Sequence, residues 1–449
     1  MSKDIRIKKG LDIKLNGAAD KQLAKAIKSN TYAINPDDFH GVIPKIVAKV
    51  GTEVKAGSPL FYSKTNDQIL FNSPVSGEVV EIVRGAKRKI LSFKVQASSE
   101  QQYKDFGVKN VASMNGDEIK SHLLQAGCWP FIKQRPYDIL ANPEVAPKAI
   151  FVSGYNSAPL ASDLDFVLAE KENELNAAIT ALSKLTNGKV HVSVNNSTSP
   201  LAKVKDAEIH TLNGPHPIGN VSTQIAQVDP INKGEIVWTV SAQDLVIIGE
   251  LLLTGRYSAT RKIAVVGSSI KAPKYYETKI GAELSTFVYD AGVNGDNVRM
   301  INGDVLSGTK IAPDGHLSST AGTFTVIPEG DDYEFFGWNT PVFNKISSSR
   351  ALTFSWLFPK KKYDLNTNTN GEHRAFVVTG NYEEVFPLDI YPMQLLKAFS
   401  YNDLDEMEKL GAYEIAPEDF ALTEFVCVSK QNHQELVRKG LDVMYKEIG

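Results

Sequence analysis

The stretch LFYSKTNDQILFNSPVSGEVVEI, Leu60 to Ile82, reads as two strands around a polar tip, then a Ser-Pro turn and a third strand. The tip is expected at Thr65-Asn66-Asp67. Ile69, Leu70 and Phe71 follow it, and Val75, Val79, Val80 and Ile82 continue an apolar core around Gly77. Upstream, VGTEVKAGSPL places Gly51 and Gly57 in turns of the kind that separate short strands. These short strands make one module over residues 37–97, preceded by a lead of residues 1–36.

Beyond a polar stretch, ASSEQQYKDFG, the segment GDEIKSHLLQAG reads as a helix. Ile119, Leu123 and Leu124 share one face and Gly127 ends it. Strand-like AIFVSG, KVHVSV and DAEIHTL then alternate with helical AEKENELNAAITALSKLTNG and AQDLVIIGELLLTG. That order predicts a parallel, Rossmann-like α/β domain over residues 98–255. From Thr260, short strands and a helix at 282–291 predict a further domain over 256–330, which resembles a β-grasp fold of the soluble ligand-binding type. PMQLLKAF, DLDEMEKLG and QELVRKGLDVMYKEI make residues 331–449 a helical C-terminal domain, with NTNTNG as a loop inside it.

With 449 residues, 42% hydrophobic and 22% charged, the chain has the composition of a globular protein of several cores. A net charge of −3 gives no electrostatic case for nucleic acid. Two basic runs, Lys87-Arg88-Lys89 and Lys360-Lys361-Lys362, read as solvated surface. Cys128 and Cys427 are the only cysteines, too few for a disulfide framework or a thiolate metal site. MSKDIRIKKGLDIKL is too polar for a signal peptide, and no segment approaches the ~20 apolar residues that span a bilayer. A cytoplasmic chain is expected, held at any membrane by partners rather than by lipid.

The quoted stretch resembles the lipoyl/biotinyl carrier domain, which carries its prosthetic group on a lysine at a hairpin tip. Counting back from Gly77 puts that lysine's place on Asn66, with Lys64 two residues away, so no lipoylation or biotinylation is expected. The order of barrel, α/β domain, β-grasp domain and helical tail resembles three families: the complex I flavoprotein subunit, the C subunit of Rnf complexes, and the A subunit of sodium-translocating NADH:quinone oxidoreductases. The first two bind FMN and NADH and carry iron–sulfur clusters. Their G-x-G-G-A-G-F-P loop is matched here by QAGCWPFIKQ, which keeps only Gly127 and sets Trp129, Pro130 and Phe131 where a phosphate needs room. Their N-G-A-E-x-E-P motif is matched by VSGYNSAPLASD, with Tyr155, Asn156 and Ser157 in place of the acids. Of their C-x₂-C-x₂-C-x₃-C-P run only Cys427 remains, with Thr423, Phe420 and Pro417 at the other places. Phe386 stands where a cysteine of the other cluster would.

This pattern of loss fits the third family, and the segments TLNGPHPIGN, NYEEVFPLDIYPMQLLKA and ALTEFVC resemble its own in the same order. GNVSTQI is less apolar than the family pattern. The resemblance implies a peripheral subunit on the cytoplasmic face of a bacterial inner membrane. The complex passes electrons from NADH to ubiquinone and exports sodium, with NADH, flavins, iron–sulfur and quinone chemistry on other subunits. This chain is then expected to bind no cofactor, to be non-catalytic when isolated, and to partner chiefly the B subunit in the membrane. It also implies a contribution to the quinone site, with Trp129 and Phe131 as walls for the ring and Arg135 or His216 as donors to its carbonyls. Two rival readings stand beside this one. The aromatics can be core and His216 a backbone-binding residue between two prolines. Alternatively, the chain is a stand-alone ligand-binding protein that uses the β-grasp domain.

Overall fold

The hairpin in the quoted stretch turns at Lys64-Thr65, between strands Pro59–Ser63 and Asn66–Asn72, with Ser63 opposite Asn66. This is a computed structural model, and it describes every residue except Met1, Ala26, Tyr333 and Ser349, as well as the Trp338 side chain. The turn therefore lies nearer the N-terminus than the expected Thr65-Asn66-Asp67. A two-residue loop matches the twist of its flanking strands, and that preference sets the tip more firmly than a count from Gly77. Asn66 becomes a ladder residue whose Oδ1 accepts the Gln68 N–H at 3.0 Å, and an exposed Lys64 takes the turn.

The hairpin belongs to a three-stranded sheet with Pro44–Ile46, accompanied by a four-stranded sheet ordered Thr31–Ile34, Ile90–Ala97, Gly77–Arg84, Glu53–Val54. Phe61 joins the two sheets, stacked on Phe71 at 4.5 Å and on Phe93 at 4.7 Å between ring centroids. Such stacks add about 0.5–1.5 kcal/mol each beyond area burial.

A seven-stranded sheet forms the centre of the molecule. Its order is Asp4–Arg6, Glu208–Asn213, Val190–Val194, Ala149–Ser153, Val237–Val240, Ile132–Arg135, Ile139–Leu140. The first five strands are parallel and the last two form an antiparallel edge. Val190–Val194 is buried along its whole length, as a parallel strand covered on both faces must be. Helices Glu172–Ser183 and Ala242–Thr254 pack closely, because Gly249 lies where a Cβ would meet the Glu174 carbonyl oxygen at 1.9 Å. Helix Gly116–Gln125 opens on a capping box from Asn115 and Glu118 and buries Ile119, Leu123 and Leu124 as expected.

A third sheet has six strands, ordered Thr309–Lys310, Val298–Asn302, Thr323–Pro328, Thr260–Val266, Lys274–Lys279, Asp20–Leu23, with helix Leu284–Ala291. Thr260–Val266 and Thr323–Pro328 run parallel at its middle. The C-terminal helices begin only at Asn381. They are Asn381–Val385, Pro392–Tyr401, Leu404–Lys409, Ala421–Phe425 and His433–Ile448, around a core of their own. Among the described residues between 331 and 380 there are only two short 3-10 turns, so the helical character expected from 331 starts later.

The lead is not a separate piece. Asp4–Arg6 edges the central sheet, Ile13 and Leu15 enter the C-terminal core, and Asp20–Leu23 edges the third sheet. A chain alternating apolar and polar side chains can add a strand to any open edge, and this one uses two. Among the described residues no helix is long and apolar enough to cross a membrane.

Candidate functional site

A cleft of ≈ 810 Å³ opens at the carboxyl ends of the parallel strands, where open α/β sheets hold their ligands. Ser153 ends strand Ala149–Ser153 and Tyr155 follows it, His216 and Gly219 follow Glu208–Asn213, and Thr239 to Asp244 run from the end of Val237–Val240 through Ser241 into the first turn of helix Ala242–Thr254. Asp37 and Asp38 come from the barrel unit, Arg261 and Asn302 to Ile311 from the third sheet, and Glu418 from the C-terminal unit. All four units thus meet at this space.

His216 is placed by its loop. Gly219 comes so near Ser157 that a Cβ would lie 2.6 Å from the Ser157 nitrogen, and this closeness lets the Gly219 N–H reach Ser157 Oγ at 2.8 Å. A hydroxyl that already accepts one N–H has its own proton to give. The hydroxyl also meets His216 Nδ1 at 2.9 Å, which fixes the orientation of the ring. The His216 backbone N–H goes to Asp12 at 2.9 Å. Burial pushes His216 down to about 4, against the pull of Asp304 and Asp12, so it is neutral at pH 7. The polar GNVSTQI run is explained here: Gln224 is buried, and its Nε2 binds Ser153 Oγ at 2.8 Å and the Ile218 and Gly219 carbonyls at 3.2 Å.

Across the cleft, Arg135 is buried between Asp138 and Glu418, each 3.3 Å away. Burial opposes its charge, but Asp138, Glu418 and Asp419 outweigh that and hold its pKa above the ordinary value. Burial also works against the Asp138 carboxylate, yet Arg135 and Lys133 keep it well below the usual range. Glu418 goes the other way. Burial and the neighbouring Asp419 raise it to about 7 despite Arg135. Nη1 of Arg135 faces Asp138 and Nη2 faces Glu418, and among the described residues its buried Nε has no hydrogen-bond acceptor and remains as a donor. Arg261 forms a buried ion pair with Asp244, whose Oδ2 also accepts from Ser241 at 2.6 Å. Six acidic residues (Asp37, Asp38, Asp138, Asp244, Asp304, Glu418) and four basic ones (Lys133, Arg135, Arg261, Lys310) line the space, so it is more polar than the mostly apolar slot expected for a ring.

Three of the four residues expected at a quinone site, Phe131, Arg135 and His216, line this one cleft. Trp129 does not. It is fully buried, donates its indole N–H to the Ala141 carbonyl at 2.8 Å and meets Trp238 edge-on at 5.3 Å. A large ring with its one polar atom satisfied inside the core has no face to offer. The sequence reading missed Asp138, Glu418, Ser157 and the Arg261–Asp244 pair, none of which carries a local motif.

The residues at the phosphate-loop place do not fit a flavin phosphate. Helix Gly116–Gln125 runs into Ala126, Gly127 and Cys128, whose N–H groups are spent on the His122, Leu124 and Leu123 carbonyls, and Phe131 N–H on Cys128. A phosphate cradle needs such amides open. Gly127 itself abuts Asn72 of the barrel, which binds the Ala126 carbonyl at 2.8 Å. The cluster places are filled in the same way. Phe386 and Phe420 are buried against each other at 4.9 Å, Thr423 Oγ1 bonds the Phe420 carbonyl, and Cys427 is buried 2.8 Å from the Tyr382 hydroxyl.

These features define a class: a mixed α/β chain of four interlocked units with a ligand-sized cleft at its centre and, among the described residues, no helix able to cross a membrane. Comparison with known proteins narrows it. The NqrA N-terminal barrel-sandwich hybrid domain matches residues 5–98, the NqrA second alpha/beta domain residues 114–257, and the NQRA C-terminal domain residues 262–312. The A subunit of the Na(+)-translocating NADH-quinone reductase of Vibrio atlanticus is 34% identical over 99% of this chain and 100% of its own. Those of Vibrio campbellii and Aliivibrio salmonicida are as similar, at 34% over the same shares. The chain belongs to the family of A subunits of the Na(+)-translocating NADH-quinone reductase.

Proposed function

We propose that this chain is a peripheral, cofactor-free subunit of a sodium-translocating NADH:quinone reductase, seated on the cytoplasmic face of the inner membrane against the B subunit. Its part is to bind the quinone headgroup or to shape the quinone site. The observation that carries the reading is the central cleft, where Phe131 lies stacked on Tyr257 at 6.4 Å and two polar groups face one space: the imidazole of a neutral His216 and the guanidinium of Arg135, whose Nε has no partner among the described residues. A quinone carbonyl accepts such donors, and an aromatic wall covers its ring.

The test is quinone titration of the purified chain and of the assembled complex, each with His216→Ala and Phe131→Ala. Losing one neutral hydrogen bond is expected to weaken binding about threefold to tenfold, and losing the aromatic wall at least as much. Unchanged affinity and turnover in a complex that still assembles would assign these residues to packing and the quinone to the membrane partner.

A further inference from the structure

Between the third sheet and the C-terminal helices runs the sequence FFGWNTPVFNKISSSRALTFSWLFPKKKY, residues 335–363, whose described residues form a small lobe. It holds five Lys or Arg residues and no Asp or Glu; Glu334 and Asp364 flank it, and Glu334 pairs with Lys345 at 2.8 Å, which leaves Arg350 and the three consecutive lysines as its basic face. The lobe is tied together by its backbone: the Val342 N–H binds the Leu352 carbonyl at 2.8 Å, and the Phe354 N–H binds the Val342 carbonyl at 2.9 Å. Phe343 stacks on Phe354 at 5.1 Å, and a turn at Ser355–Leu357 follows.

The root of the lobe is fixed to the body. Tyr363 is buried, its N–H binds the Lys14 carbonyl at 2.9 Å, and Lys14 Nζ binds the Pro359 carbonyl at 2.8 Å. Yet Phe343, Trp356, Leu357 and Phe358 are each about half exposed, at 51%, 49%, 49% and 47%. Cations share their surface. Arg350 lies over the Trp356 ring at 5.8 Å, Lys361 Nζ reaches the Phe343 carbonyl at 2.8 Å, and Lys360 and Lys362 are exposed beside them. Read alone, the three lysines suggest solvated surface. The fold sets them against a patch of exposed rings, and the combination is what a lipid headgroup layer accommodates: aromatics at the boundary, lysines among the phosphates.

We propose that this lobe is a membrane-interface anchor that seats its aromatic side chains in the surface of a bilayer containing anionic lipids. Charge complementarity selects this occupant, since protein interface cores are depleted in lysine, whereas an anionic leaflet attracts each one. The proposal does not depend on where quinone binds. It departs from the expectation that partners rather than lipid hold the chain at a membrane.

The experiment is vesicle flotation of the purified full chain, with phosphatidylcholine alone and with phosphatidylcholine mixed equally with phosphatidylglycerol, at low and high salt. Wild type is expected to float with the mixed vesicles at low salt, to be largely released by high salt, and to bind neutral vesicles much less. Each lysine contributes about fivefold to partitioning, so Lys360→Ser, Lys361→Ser and Lys362→Ser together are expected to reduce it about a hundredfold. Trp356→Ser with Phe358→Ser is expected to weaken binding at both salt levels. Lys87→Ser with Arg88→Ser, which removes charge from the barrel instead, leaves binding unchanged. The proposal is overturned if wild type ignores both vesicle types, or if the lobe and barrel variants behave alike. It also falls if the lobe substitutions release the chain only from the purified complex, because the lobe then docks on a protein.

Discussion

Segment 126–131 and the cleft beside it lie at the same end of the central sheet, yet one is filled and the other is open. In the segment, Cys128 and Trp129 are fully buried, and the backbone amides are turned inward onto the preceding helix. In the cleft, buried charged groups face one another across ≈ 810 Å³, and some of their donors have no partner among the described residues. Apolar volume collapses onto itself, because each methylene removed from water is worth about 0.8 kcal/mol. Charged groups resist that collapse, since bringing them into a dry core costs several kcal/mol per ion unless each is matched. The difference between a closed and an open site is therefore written in residue type, on a sheet that serves both.

The largest effect is expected where the filled region is emptied. Trp129→Ala removes a fully buried indole and its hydrogen bond to Ala141, and is expected to cost about 3–5 kcal/mol of stability. Denaturant unfolding followed by intrinsic fluorescence of the other tryptophans measures it. The comparison sharpens if the surviving folded fraction binds ligand in the cleft as wild type does. It breaks if Trp129→Ala leaves stability intact and alters ligand affinity, because the indole would then belong to the open site.

What the sequence disclosed follows the same division. Periodicity exposed the apolar regions: Ile119, Leu123 and Leu124 were assigned to one helix face, and the structure buries all three. The alternating strands and helices of the central domain were legible for the same reason. The lead shows the limit of that signal. Ile5, Ile7, Ile13 and Leu15 alternate with polar neighbours, but alternation does not name the sheet or core that a strand joins. The cleft was legible only through its aromatic and its histidine. Ser157 and His216 are 59 positions apart, and Arg135 and Glu418 are 283 apart, so no local spacing links them. Trp129 was placed on the wrong side of the wall because a large aromatic next to a glycine reads alike as lining or as core.

A smaller effect concerns pH. His216 titrates near 4 when folded and near its ordinary 6.5 when unfolded, so the unfolded chain binds more protons between those values. Stability from this group is full above about 6.5 and falls as pH drops toward 4, by about 2 kcal/mol at pH 5. His122, His210 and His433 are lowered to about 4 by burial as well, and add to the same acid-side loss. His216→Asn removes only its own share, so the stability gap between wild type and variant is expected to narrow between pH 7 and pH 5. A gap that stays constant across that range means that His216 is not held neutral by the cleft wall.

The smallest effect is expected at Glu418, on the open side. Burial and Asp419 raise its carboxyl to about 7 from an ordinary 4.5, so the folded chain here binds more protons than the unfolded one between those values. The sign is opposite to that of His216: this group destabilises the fold progressively as pH rises from about 4.5 through 7. Glu418→Gln resembles the protonated acid at every pH. The variant is therefore expected to match wild type near pH 5 and to exceed it at pH 8. The Glu418 side chain is 44% exposed, so solvent screens the effect to a fraction of a kcal/mol, on the order of 1–2 °C in melting temperature. Thermal melts of both chains at pH 5 and pH 8 measure it. If the variant is instead less stable at pH 8, the ion pair with Arg135 outweighs the burial of the carboxylate. The cleft would then be held open by matched charges alone, with no proton kept in reserve on its wall.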